Sequence, residues 1–267
     1  SLFWADPQGA SANDYDLFVL NANFTRVVAA STDFQDGDDD PHEVIFASFS
    51  RPAAFTNERV VILNYGGSAP RALRLDTFFS AELGLSTPGQ VYGHAGAADA
   101  FAVAAVDAAT VTSGFGFGSP FFTGGPTNPT EFFSSDGPRR VFFNEDGTPI
   151  TPGNFLFSTN GGAERQKPDI AAADGVLTSS AGFIPFFGTS AAAPHAAAIA
   201  ALLKSAVPNV TPAEVRRALQ ASALDIRALG VDRDSGSGIV MASNALEAAG
   251  ANPSPAPLLK LARFEIK

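Results

Sequence analysis

Cysteine is absent from this 267-residue chain, which excludes disulfides, thiolate metal sites and a cysteine nucleophile. Histidine is scarce, and with only 3 of them any imidazole chemistry has few places to sit. Positive charge is also in deficit. Lys and Arg number 17 against 27 Asp and Glu, a formal net charge of -10. There is no basic stripe to neutralise phosphates, so neither nucleic acid nor an anionic membrane surface is an expected partner. No apolar run approaches the roughly 18 residues of a spanning helix. The opening "SLFWADPQGA" carries no basic-then-apolar leader, so a secretion signal would have to lie upstream. What remains is a globular composition, 45% hydrophobic and 16% charged, with apolar surface enough for one large or two modest domains.

The apolar pattern changes along the chain. From Asp14 to about Ser80, short runs such as "YDLFVL", "FTRVVAA", "EVIFASFS", "ERVVILN" and "RALRLDTFF" alternate with Asn, Asp, Gly and Pro clusters. They predict strands. Leu73, Leu75, Thr77 and Phe79 fall on one side of the last run, Arg74 and Asp76 on the other, the pattern of a sheet with one wet face. A small β-sandwich is expected over residues 1–85. Beyond it "FAVAAV" (101–106) is continuously apolar, which suggests a strand of a parallel sheet buried on both faces. The Phe-, Gly- and Pro-rich stretch 111–167 predicts extended loop with short strands. Helices follow. One runs from Ser190 to about Val207, stopped by Pro208. A second starts at Thr211 with Pro212 first and Glu214 closing a capping box. A third, "MASNALEAAG", stops at Gly250, and "ANPSPAP" predicts a linker into the tail.

Ser190 stands where an alanine-rich helix begins, in "FFGTSAAAPH". Two roles are open to it. A serine there can cap the helix. It can also act as a nucleophile, because unpaired N–H groups and the helix dipole favour an oxyanion at that end.

"GTSAAAPH" resembles the nucleophile motif of the subtilisin-like serine proteases. Other segments in the same chain order are similar to that family: "FAVAAVDAA", "FFSSDGP" (132–138), "KPDIAAADGV" (167–176) and "GSGIVMASNAL". They cover roughly Gly93 to Ala249. The resemblance implies an α/β fold, a partial subtilisin-like parallel-sheet domain over 86–250 preceded by the β-sandwich insert and followed by a tail over 251–267. It further implies that Ser190 is the nucleophile, its own N–H an oxyanion donor, and a peptide or protein the substrate. Two departures are alanines after His195 where the family has glycine, and Ala173 for its proline; neither touches the nucleophile.

The nucleophile's partners are missing from the sequence. His195 lies roughly 140° around the helix from Ser190, and the resemblance makes it structural. His94 stands before the buried strand, and His42 sits in an acidic loop where it should be solvated. "DSG" at 234–236 copies the family's aspartate motif but follows the serine, and Asn154 has no strand ahead of it. The base, acid and side-chain oxyanion donor are therefore expected upstream of Ser1. The parent would be an extracellular or cell-surface endopeptidase, and this chain alone would be inactive, with Ser190 a helix-capping hydroxyl. The upstream half of the same domain becomes an expected partner, and self-association of the chain a further one. The alternative is a non-catalytic secreted module. An α/β-hydrolase is excluded because no G-x-S-x-G occurs.

"WADPQGASANDYDLFVL" resembles a β-domain insert of some bacterial subtilisin-like proteases. No cofactor is required by the chemistry. Asp14, Asp16, Asp36, Asp38 and Asp40, with Asp39 and Glu43 nearby, offer oxygen for Ca2+ if "DFQDGDDD" folds back on the first strand. An ordinary solvated turn fits the same residues.

Overall fold

The computed structural model describes residues 1–46, 57–77, 83–108 and 122–251. They divide into two compact units. One comprises Ser1–Thr87 with Arg140–Glu164, the other Pro88–Arg139 with the chain from Arg165. Residues 140–164 thus fold with the first unit, whereas a single cut between residues 85 and 86 would leave them in the second.

In the first unit, β1 (Leu2–Trp4), β4 (His42–Glu43) and β6 (Leu73–Leu75) form one antiparallel sheet with β1 central. A second antiparallel sheet has β2 (Tyr15–Leu20) between β3 (Val27–Ser31) and β5 (Arg59–Asn64). Leu2 and Trp4 from one sheet and Tyr15 and Leu17 from the other share a core with Ile45, Ile62, Leu73 and Leu75. Buried Asp6 organises the chain entry. It accepts hydrogen bonds from the Ser11 hydroxyl, the Asn13 amide and the Arg71 guanidinium at 2.5 Å. Phe142 packs with Ala5 and Ala72, and Phe155 lies against them, which is why residues 140–164 belong here.

Three expectations need correction. Among the described residues the run "EVIFASFS" contributes only Glu43 to a strand, as the end of β4, and residues 47–50 lie outside the described set. The expected wet face is half-buried, since Arg74 and Asp76 neutralise each other at 2.6 Å. His42 is not solvated; it is half-buried and stacks on Phe3 at 4.5 Å. Phe79 of the last run and residues 252–257 of the proposed linker also fall outside the described residues.

The second unit is built on β7 (Val103–Asp107) and β10 (Ile170–Asp174), which run parallel in the register Val103 to Ile170 through Asp107 to Asp174. The intervening strands β8 (Arg139–Val141) and β9 (Ala163–Arg165) pair with each other where the chain passes between units. Ala105, Ile170 and Ala172 pack against the helices, while Ala104, Val106 and Ala171 pack with Ile226 and Ile239 on the opposite face. Both faces are dry, as continuous small-apolar strands require. Helix α1 (Thr189–Ala206) lies on both strands, and α2 (Pro212–Ala221) and α3 (Ala242–Ala248) pack beside it. The capping box at Thr211 and Glu214 forms as the sequence predicts. Among the described residues no helix is long and apolar enough to cross a membrane.

Candidate active site

Helix α1 begins on a glycine, not on the serine. Gly188 is the N-cap at φ 127°, a conformation that side-chain-bearing residues rarely adopt. Its N–H donates to Asp174 Oδ2 at 2.7 Å, which ties the helix start to the end of β10. Its carbonyl accepts from both Ala191 and Ala192. Ser190 is therefore the second helical residue and caps nothing. The expectation of a capping hydroxyl fails because Gly188 has already taken that position.

Three features make Ser190 chemically available. It is exposed, and among the described residues its hydroxyl has no hydrogen-bond partner. Its N–H lies in the first turn, where no preceding carbonyl can accept it. Pro194 has no N–H for the Ser190 carbonyl four residues back, so the helix is loosened at this residue. An anion at that position would meet an unpaired N–H and the positive end of the dipole.

None of the three histidines reaches this hydroxyl among the described residues. His195 is exposed and its Nδ1 bonds the Ala191 carbonyl at 2.8 Å. His94 sits exposed in a single 3-10 turn, Gly93–Gly96. His42 is in β4. The "DSG" copy is a turn: Ser235 bonds Asp232 and the Ile226 carbonyl, Asp234 pairs with Arg227 and Arg233, and Gly236 packs on the backbone of Pro168 and Asp169. Asn154 is spent within its own loop on Thr159 and Leu156.

The five aspartates suggested for calcium are not brought together. Asp36 and Asp38 gather with Asp39 in an exposed group, where the hydrogen bond that a protonated Asp36 donates to Asp38, and then the charge of Asp38, raise the carboxyl of Asp36 above its ordinary range. Asp40 accepts the Gly9 N–H. Asp14, just before β2, and Asp16, on it, are buried. Burial first, then the charges of Asp16 and Glu43, raises Asp14; burial raises Asp16. Glu43 is held by Ser31, Asp33 and Gln35.

A different acidic group stands beside the first turn of α1, and sequence reasoning missed it. Asp107, Glu131 and Asp174 each place one carboxylate oxygen within 4.8 Å of the others. Burial, followed by the charge of Asp107, raises the Asp174 carboxyl, opposed by the Gly188 N–H and by His195. Burial and then Asp174 and Asp107 raise Glu131. The available signal was an aspartate closing each of two apolar strands, in "AAVD" and "AAAD".

A family model described as the subtilase family matches residues 53–238. Among curated proteins, fervidolysin of Fervidobacterium pennivorans is 40% identical over 60 residues, which cover 22% of this chain and 9% of that relative. The matched stretch thus spans less than a tenth of fervidolysin.

Proposed function

From the premise that the chain belongs to the subtilase family, shown by the match over residues 53–238, we propose that it carries the nucleophile of a secreted serine endopeptidase. The observation that carries this reading is Ser190 itself, exposed and unpartnered on the first turn of α1 within "GTSAAAPH". Its hydroxyl attacks the scissile carbonyl, and its own N–H receives the oxyanion of the tetrahedral intermediate. The acyl-enzyme is then hydrolysed. A serine hydroxyl needs a base to take its proton. No histidine among the described residues reaches it, so we infer that base and acid come from residues beyond these 267 and that this chain alone is inactive. The exposure of Ala193, Ala197, Ala201 and Leu202 on α1 supports a covering partner there, the rest of the same catalytic domain. The two antiparallel sheets of the first unit, sharing one core, support its reading as a β-sandwich insert.

The test is labelling with a fluorophosphonate probe, which reacts with activated serines. The purified chain, the longer parent protein and the Ser190→Ala variant of each are compared. The expected result is labelling of the parent alone, abolished by Ser190→Ala. Labelling that survives Ser190→Ala in the parent removes Ser190 as nucleophile. Labelling of the isolated chain at Ser190 would place the base within these residues, and a folded parent that never labels would make this a non-catalytic module.

A further inference from the structure

We propose that Asp107, Glu131 and Asp174 form a site for a hard divalent cation of the calcium class, beside the N-terminal turn of α1. The backbone dictates the grouping. Asp107 and Asp174 close β7 and β10 and stand directly opposite each other in the parallel register, so both carboxylates leave the sheet on one face. Glu131 is brought alongside by its N–H, which donates to the Ala105 carbonyl at 2.8 Å, and by Ser134, whose Oγ accepts the Ala105 N–H at 2.8 Å. Oxygens bound to one Ca2+ at about 2.4 Å lie no more than roughly 5 Å apart. The observed spread of 4.8 Å fits that limit.

A second observation is independent of the clustering. Asp174 is fully buried; Oδ2 accepts the Gly188 N–H, but Oδ1 is sealed from solvent with no hydrogen-bond partner among the described residues. An unsatisfied buried carboxylate oxygen is costly. A cation facing Oδ1 removes that cost and the repulsion among three acids at once. The donor set is oxygen alone, which suits a hard ion and not a soft one. The exposed Asp36, Asp38 and Asp39 group has no such orphaned oxygen. Through Asp174 the ion would hold Gly188, and through Gly188 the turn that presents Ser190. Metal occupancy does not depend on Ser190 being a nucleophile.

The experiment is calorimetric titration of the chelator-treated chain with CaCl2, with thermal unfolding in chelator and in Ca2+. Glu131→Gln and Asp174→Asn are compared with Asp38→Asn. Binding should weaken by about tenfold or more in the first two and persist in the third. The order of stabilities should also invert. In chelator, Asp174→Asn should unfold no lower than wild type, because it removes repulsion; in Ca2+, wild type should unfold higher. Binding that is unchanged in Glu131→Gln, lost only in Asp38→Asn, or absent from wild type overturns the site. Should Asp174→Asn fail to fold, half-buried Glu131→Gln carries the same comparison.

Discussion

Asp169 and Asp174 lie at opposite ends of one stretch of chain around β10, both nearly closed to solvent, and their surroundings differ completely. Asp169 accepts from Lys167 Nζ at 2.7 Å, from Arg216 at 2.7 Å and from the Ala102 N–H at 2.7 Å. Arg216 also stacks over Phe101 at 4.1 Å. Every charge there is answered. Asp174 faces two other acids, has one oxygen on Gly188 and leaves the other alone. The end of the sheet where β10 begins is built for stability. The end where it finishes keeps an unpaid electrostatic cost, beside the serine. Open parallel sheets place ligand chemistry at the carboxyl ends of their strands, and the proposed cation site would give this one strand both tasks within six residues.

The largest predicted effect breaks the first end. Asp169→Ala leaves Lys167, only 2% exposed, as a buried charge without its carboxylate, and should cost about 3–5 kcal/mol of stability. Urea unfolding monitored by circular dichroism measures it. Arg216→Ala should cost less, because that guanidinium is partly exposed. The comparison fails if Asp174→Ala in chelator destabilises as much as Asp169→Ala does, since Asp174 would then be an ordinary structural acid.

A smaller effect sharpens the second end. An alanine at 188 must hold φ near 127°, yet its Cβ would find no atom closer than the Ser190 nitrogen at 3.7 Å. The cost is therefore conformational rather than steric. Gly188→Ala should lose about 1–3 kcal/mol and, in the longer parent, lower the rate of Ser190 labelling by moving the first turn. A stability change within a few tenths would mean that the turn relaxes freely, and that Gly188 does not transmit the position of Asp174 to the helix.

Legibility in the sequence follows the range of the interactions. The capping box was readable because Thr211 and Glu214 lie within one turn, and β7 was readable because "FAVAAV" has no polar face to expose. The family segments placed Ser190 at a helix start. That Gly188 holds the cap was not readable, since a Gly-Thr-Ser start fits either residue and only Asp174 decides. Glu131 was invisible for a stronger reason: it joins Asp107 and Asp174 through hydrogen bonds to the backbone of Ala105, with no spacing rule to announce it. Arg71 and Phe155 likewise draw residues 140–164 into the first unit by a cation–ring contact at 4.7 Å, far apart in sequence.

The smallest effect probes the stable end alone, through the helix that supplies Arg216. Thr211 Oγ1 accepts the Glu214 N–H, and Glu214 accepts from the Thr211 N–H at 2.8 Å and from its hydroxyl at 2.7 Å. Thr211→Ala should cost about 1 kcal/mol, less than Asp169→Ala because it loosens the first turn of α2 without baring a charge. These hydrogen bonds, backbone first, hold the Glu214 carboxyl below its ordinary value of 4.5. The folded chain then binds the proton less readily than the unfolded chain, so this contribution is complete above the ordinary glutamate range and fades as pH falls through the depressed value. Glu214→Gln should flatten that acid loss while leaving the Asp174 end untouched, so the difference in Ca2+ response between wild type and Asp174→Asn should be the same in either background. A Ca2+ response that changes with Glu214→Gln would show that the two ends of the sheet are coupled, and would end their treatment as separate devices.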